Sequence, residues 1–365
     1  MENTRSIYLD YNSTSMIRPQ VIKVLIEAHK NFNASSVHQF GVEARRKINL
    51  AREIIAESIN VDPDGLVFTS GATEANVSII NNSNRRLVVS NIEHDSVLIP
   101  SRQKSDTKFI EVDQDGVISI ESLYKILKKN NGPYIISTML VNNETGVIQP
   151  IKEIADIAHK HNSLVHCDIV QGFGKIPIDI NELGIDYATF SAHKVGGPQG
   201  IGGLWIKPGV EFEPLIQGGS QENFRRAGTE NISGIIGFAE SVKCFSKKET
   251  GNILSLRKKL EKELLKVAPV YIFGYNQNRV PNTVYFGNNK ITKETQLVSL
   301  DLSGIAVSSG SACSSGKVGN SHVLEAMNIE SKIMSSAIRV SLGWATKDHE
   351  IDYFISKWTD IYCKN

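Results

Sequence analysis

The stretch 164-LVHCDIVQGFGKIPIDINELGIDYATFSAHK-194 decides the fold. It opens and closes on short β-prone runs, LVHC at 164–167 and YATFS at 187–191, with turn-forming residues between them. Just upstream, 150-PIKEIADIAHKHN-162 puts Ile151, Ile154, Ala155 and Ala158 on one helical face, and Pro150 suits its first turn. Further outward, LVFTS (66–70), LVVS (87–90), residues 134–141 and GIGGLWI (200–206) read as strands, and a helix opens at 71-GATE-74. Strand and helix alternate, which predicts an α/β architecture with a mainly parallel sheet and helices on both faces.

The pattern changes around 247-KKETGN-252, where a long charged helix (ILSLRKKLEKELLKV) leads into separate strand-like pieces, VYIF, NTVYF and AIRVSL, and a final helix. A boundary near residue 248 follows. Residues 13–247 form a large unit, and residues 1–12 join 248–365 in a smaller α+β unit. The 365 residues suit two such units. With 40 basic against 39 acidic side chains the formal charge is +1, which argues against a general nucleic-acid or membrane-surface binder. Cys167, Cys244, Cys313 and Cys363 lie far apart without a CxxC pair, so neither a zinc site nor a disulfide scaffold is expected, and a reducing compartment is. MENTRSIYLDYNSTS lacks the basic and apolar regions of a signal peptide, and no apolar run reaches membrane-spanning length. The expectation is a soluble cytoplasmic protein.

Two nucleotide motifs fail. There is no GxxxxGK[ST], and GGPQGIGG (196–203) is not a dinucleotide fingerprint. More informative are Asp168 and Lys194, 26 residues apart, each at the C-terminal end of an expected parallel strand. Open α/β sheets bind ligands on that edge. A carboxylate beside a ring nitrogen and a Schiff-base lysine are the two groups that pyridoxal phosphate chemistry needs. Alone, such a pair is usually solvated surface. The surroundings strengthen it. Backbone N–H groups at Ser70-Gly71-Ala72-Thr73 and the Thr73 hydroxyl could cradle a phosphate, although Thr73 could equally be an N-cap. Ser191 and His193 precede Lys194. His94 follows another strand at the same edge, where it could face a flat ring or simply satisfy a turn. Cys313 sits in 308-SSGSACSSGKVGNS-321, a Gly/Ser-rich stretch that reads as a mobile loop, whereas Cys167 belongs to a strand and a core.

At this point YLDYNSTS, SGATEAN, VNNETG, HCDIVQGFGK, SAHKVGGPQGIG and SSGSACSSG, supported by RRAGTEN and AIRVSLG, resemble the cysteine desulfurases of aminotransferase class V. These segments run from Tyr8 to Gly343. The resemblance implies fold type I of the pyridoxal phosphate enzymes, with a seven-stranded sheet in the large domain. It implies that Lys194 is the Schiff-base lysine, Asp168 the pyridinium partner and Gln171 a hydrogen-bonding partner of the phenolic oxygen. His94 would stack on the ring and assist proton transfer, while Ala72, Thr73, Ser191 and His193 would hold the phosphate. Thr229 would reach the phosphate in a neighbouring subunit, making a homodimer. Asn142 would touch cofactor or substrate, and Arg339 would clamp the substrate carboxylate.

The implied reaction starts with L-cysteine replacing Lys194 on the cofactor and losing its α-proton into the ring above Asp168. The Cys313 thiolate takes the sulfur, leaving L-alanine and a Cys313 persulfide. The length of 308–321 resembles the long-loop branch, whose loop swings out to deliver sulfur to a protein acceptor. Departures from the family pattern are Leu140, where many members carry histidine, and Ile169-Val170, where a small pair is common. The stretch after Gly343 is also shorter than the tail that some members use to dock an iron–sulfur scaffold. Acceptors for iron–sulfur assembly, tRNA thiolation or DNA phosphorothioation all stay open. So do another class V enzyme, such as an aminotransferase or selenocysteine lyase, which would not need Cys313, and a non-catalytic scaffold.

Overall fold

The computed structural model describes residues 6–129, 132–310 and 321–364, so Cys313 lies outside the described residues. Twelve strands occur among them in chain order: β1 Ile7–Tyr8, β2 Leu66–Thr69, β3 Arg86–Ser90, β4 Lys108–Ile110, β5 Tyr134–Met139, β6 Leu164–Asp168, β7 Tyr187–Ser191, β8 Gly202–Ile206, β9 Tyr271–Ile272, β10 Thr283–Gly287, β11 Ile305–Ala306 and β12 Ile338–Ser341. The main sheet has seven strands in the order β2-β8-β7-β6-β5-β3-β4. β8 is antiparallel to both its neighbours, and the remaining pairs are parallel. Six strands therefore point one way and bring their C-terminal ends to one edge. The α/β class and the mainly parallel seven-stranded sheet are as the sequence led one to expect.

Each strand feeds two cores because side chains alternate across a sheet. Phe68, Val88, Ile136 and Phe190 belong to one core, beneath helices that include Gln39–Glu57 and Ile151–Lys160. Val67, Leu87, Val89, Ile135 and Leu204 belong to the core on the opposite face, with the helix Ala72–Asn82. A third core lies around the small antiparallel sheet β12-β10-β9, and Leu260, Leu264, Phe354 and Trp358 from two long helices close it. Ile7 and Leu9 pack into that core, and β1 pairs in parallel with β11. No helix among the described residues is long and apolar enough to cross a membrane.

Two local differences from the sequence reading have clear causes. Strand β5 ends at Met139 and not at Val141, because Val141 bridges antiparallel to Ile148 and the chain reverses through Asn142–Gly146, with Gly146 at φ +76°. The KKETGN stretch belongs to the helix Lys247–Val267 despite Gly251. A mid-helix glycine costs about 1 kcal/mol relative to alanine. That cost is offset here by a two-pronged ion pair from Arg18 to Glu249 at 3.0 and 2.6 Å and by buried Leu260 and Leu264 further along.

His166 in β6 is fully buried between the Ser137 hydroxyl, 2.8 Å from Nδ1, and the Thr189 hydroxyl, 3.4 Å from Nε2. Burial pushes its pKa down to about 3. A histidine lowered on folding contributes stability above its unfolded pKa, near 6.5, and loses it as pH falls toward the folded value. Urea unfolding at pH 4–6 should therefore show stability falling with acid. The variant His166→Gln should lessen that slope by about 1.4 kcal/mol per pH unit. An unchanged slope would mean that His166 does not titrate on unfolding.

Candidate active site

The C-terminal ends of β2, β3, β5, β6 and β7 open onto one cleft of about 890 Å³, walled on its far side by Asn12, Thr14, Gly310, His322 and Arg339. Thr73, His94, Asp168, Gln171, Ser191, His193 and Lys194 all line it, so the structure brings together most of the residues that the sequence singled out. Asp168 closes β6, and Lys194 sits in the single helical turn Ala192–Val195 after the neighbouring β7. The register Asp168↔Thr189 sets them side by side along the edge.

The Asp168 carboxylate accepts from Asn76 Nδ2 and the Val170 N–H, each at 2.9 Å. Burial pushes its pKa up, against those two donors and the nearby His94 and Lys194. A cation placed on it would be strongly favoured, because a buried carboxylate calls for a positive partner. Lys194 Nζ donates to the carbonyls of Asn12 (2.8 Å) and Ser13 (2.6 Å). At the other end of the cleft, Gly71 and not Thr73 is the N-cap of Ala72–Asn82, and no side chain caps that helix. A Cβ at Gly71 would meet nothing within 4 Å. A helix N-terminus with uncapped N–H groups and open space in front of it is an anion cradle. Gly202 permits this arrangement: a Cβ there would stand 2.7 Å from Gly71 Cα.

His94 is both a cap and a cleft residue. Its Nδ1 accepts from the Ser96 N–H at 3.1 Å, which starts the helix Asp95–Arg102. A backbone N–H can only donate, so the neutral ring carries its proton on Nε2. Burial pushes the His94 pKa down, with Asp168 opposing. His193 bonds Thr14 through Nδ1 at 3.1 Å, and burial lowers its pKa to about 4. Both imidazoles are thus neutral near pH 7. Arg339, 2% exposed on β12, donates to Asp10 Oδ1 (2.8 Å) and the Asn143 carbonyl (2.9 Å). Its Nε has no partner among the described residues.

Asn142 requires a correction. Its side-chain oxygen accepts from the N–H groups of Glu144 (3.0 Å) and Thr145 (2.9 Å), and its amide donates to the Ile92 carbonyl (3.2 Å). It is wholly buried within the turn, and Asn143 is the residue that lines the cleft. Thr229 lies outside the cleft, exposed beside Ser70 and Gly200 in an adjoining hollow, so it reaches no group within its own cleft. Leu140 packs where a Cβ on Gly172 would stand 2.9 Å from its Cδ2, so the apolar residue at this position fills space.

Several residues that line the cleft or hold its side chains in place were not singled out in the sequence. Asn76, one turn beyond Thr73 on the same helix, holds both Asp168 and the Thr189 hydroxyl (2.6 Å). Asn12 and Thr14, in the YNSTS run, hold Lys194 and His193. Glu144 accepts from the Ser321 hydroxyl, and His322 Nε2 lies 3.0 Å from the Glu93 carbonyl. For Asn12, Thr14, Asn76 and Glu144 the nearest signal was their position inside the recognised segments; His322 lies outside them.

The donor set fits pyridoxal phosphate. An uncapped helix start with Thr73 and Ser191 could take the phosphate, Asp168 the ring nitrogen, Gln171 the ring oxygen and Lys194 the aldehyde. The volume is ample. Among the described residues no group of His, Cys, Asp and Glu is arranged to hold a metal ion.

Comparison with known proteins agrees. The aminotransferase class-V family model matches residues 7–354. The cysteine desulfurase IscS of Dictyoglomus turgidum is 38% identical, over 96% of this chain and 92% of its own. A cysteine desulfurase of Enterobacter agglomerans is 36% identical, over 99% of this chain and 93% of its own. Among solved structures, a NifS-like protein from Rickettsia africae superposes with a TM-score of 0.91 at 35% identity, covering 98% of this chain and 99% of that one. With its fold, its cleft and nearly its whole length accounted for, this chain belongs to the class-V aminotransferase family of pyridoxal phosphate enzymes.

Proposed function

We propose that this protein is a cysteine desulfurase that converts L-cysteine to L-alanine and leaves the sulfur as a persulfide on Cys313, for delivery to a protein acceptor. The observation that carries the reading is the placing of Lys194 and Asp168 on adjacent strands at one sheet edge, in line with the uncapped start of Ala72–Asn82. Bound pyridoxal phosphate supplies an electron sink for the α-carbanion of the substrate. Everything else is done by the chain. Asp168 keeps a fixed negative charge against the ring nitrogen, and Asn76 with the Val170 N–H holds that carboxylate in place. His94, neutral and with its Nδ1 engaged by Ser96, is placed to move a proton at Nε2. Arg339 binds the substrate carboxylate, which takes over the position that Asp10 partners here. Asn143, not Asn142, is the polar residue facing the reacting end.

The same reading divides the chain into a cofactor unit, 13–247, and a smaller unit, 1–12 with 248–365, that carries Cys313 and brings Arg339 to the cleft. It also makes the protein a cytoplasmic homodimer. Ile22, Ile26, Phe32, Val37 and Phe40 are exposed on the first two helices and their link. Apolar surface on that scale suits a subunit contact, and Thr229 would then serve the partner's cofactor. Sedimentation at micromolar concentration should give a dimer, and a monomer would remove Thr229 from the site.

The direct test is alanine and sulfide release from L-cysteine with a thiol reductant. The variant Cys313→Ser should bind the cofactor normally yet lose about 10³-fold in sulfide release, because a serine hydroxyl is not ionised near pH 7 as a thiol partly is. If that variant desulfurises at the parental rate, the protein is a different class-V enzyme. Asp168→Asn should hold the cofactor more weakly and slow alanine release by about 10²-fold, as expected for losing one buried charge-assisted contact. A parental rate in Asp168→Asn would place the ring nitrogen elsewhere.

A further inference from the structure

One lysine next to the cleft has no part in the chemistry described so far. Lys175 follows Gly174, which turns the chain at φ +70° with the Phe245 ring 2.6 Å from where a Cβ would stand. Its Nζ donates to the side-chain oxygen of Asn12 (2.8 Å) and to the side-chain oxygen of Gln171. It does not line the large cleft. With Tyr11, Arg18 and Lys194 it lines a small hollow of about 50 Å³ behind Lys194. Among the described residues no carboxylate pairs with it; the charges that act on it, Lys194 and Arg339, are both cations, and Glu249, which lines the same hollow, is paired with Arg18. Burial and those cations hold its pKa well below the ordinary lysine range. A cation in such a place is costly, and a methionine would fill the space without that cost. Its donors must therefore matter.

They matter through Gln171. A carboxamide can present either its oxygen or its NH2 in a given direction, and only its neighbours decide which. Lys175 occupies the oxygen, and the Asn12 carbonyl accepts one N–H at 3.0 Å. The reversed amide would set an NH2 against the lysine donor and an oxygen against a carbonyl. One N–H is left, and Gln171 lines the cleft.

We propose that Lys175 is a positioning residue that locks the Gln171 carboxamide with its free N–H toward the cleft, so that Gln171 can only donate to the ring oxygen of bound pyridoxal phosphate. The inference rests on the cofactor reading above. An obligatory donor favours the ionised ring oxygen, so the visible chromophore of the loaded protein titrates at a lower pH than it would with a free-turning amide.

The test is a spectroscopic pH titration of the protein loaded with pyridoxal phosphate. Lys175→Met should raise the midpoint of the visible band by about one unit, the size expected for one lost hydrogen bond to a charged group, and should weaken cofactor binding about tenfold. Lys175→Arg, which keeps a donor, should restore most of the midpoint. Gln171→Ala should shift the midpoint alone, and adding Lys175→Met to it should shift it no further. An unchanged midpoint in Lys175→Met overturns the proposal. So does an equal shift in the Gln171→Ala background, which would assign the effect to the lysine charge and not to the amide. Should Lys175→Met fail to fold, Lys175→Leu, which also lacks a donor, carries the same double-variant comparison. A parent protein that develops no visible band with pyridoxal phosphate overturns the cofactor reading itself, and this inference with it.

Discussion

The cleft depends on Asn12. This residue is 2% exposed and uses every hydrogen-bonding position it has. Its N–H donates to the Ser341 hydroxyl, and its side-chain NH2 to the Asn143 carbonyl and the Thr283 hydroxyl. Its backbone carbonyl accepts from Gln171 and Lys194, and its side-chain oxygen from Lys175 and Asn282. The partners come from the edge of the seven-stranded sheet and from the small sheet alike. A fully satisfied buried network fixes one arrangement, because any shift leaves a polar group unpaired in a low-dielectric interior. One asparagine from the first dozen residues thus sets where the two cores meet.

That arrangement explains why the chain begins as it does. Ile7 and Leu9 are buried with the small sheet and tie the segment down, while Asp10, Asn12, Ser13 and Thr14 reach Arg339, Lys194 and His193. The apolar pair supplies adhesion and the polar residues supply direction. Neither would suffice alone: apolar contacts do not orient a lysine, and hydrogen bonds exchanged against water contribute little net adhesion.

The sheet edge was legible in the sequence because its logic is periodic. β-prone runs alternating with helical faces imply parallel strands, parallel strands share an edge, and Asp168, Lys194 and His94 stand just where their strands stop. What escaped was set by turns and by distant contacts. Two adjacent asparagines in VNNETG are alike as sequence, and only the turn separates them. Asn142 caps the N–H groups of Glu144 and Thr145, which swings Asn143 to the cleft. Strand β4 went unseen because three residues with two exposed carry no readable period. The seven bonds of Asn12 join residues far apart in the chain, and no local pattern encodes them.

The charges around Asn12 then fix how the cleft can work. Lys194, Lys175 and Arg339 are near one another; Asp10 bonds Arg339, and Asp168 at the strand end is held by Asn76 and the Val170 N–H. Glu74, Asp95, Glu144 and Asp168 line the cleft beside Lys194 and Arg339, so an anionic group is held there by individual fixed donors and not by net charge, and His94 and His193 stay neutral. On the proposed reading each incoming group meets a partner already held in place: the phosphate an uncapped helix, the ring nitrogen Asp168, and the substrate carboxylate Arg339. Arg339 is costly to keep buried without partners, and Asp10 with the Asn143 carbonyl supplies them in advance. Substrate binding then exchanges one carboxylate for another on a guanidinium that needs no further desolvation. Much of the ordering cost is met on folding, which is why these positions lie on strand ends and a fully bonded asparagine rather than on free loops.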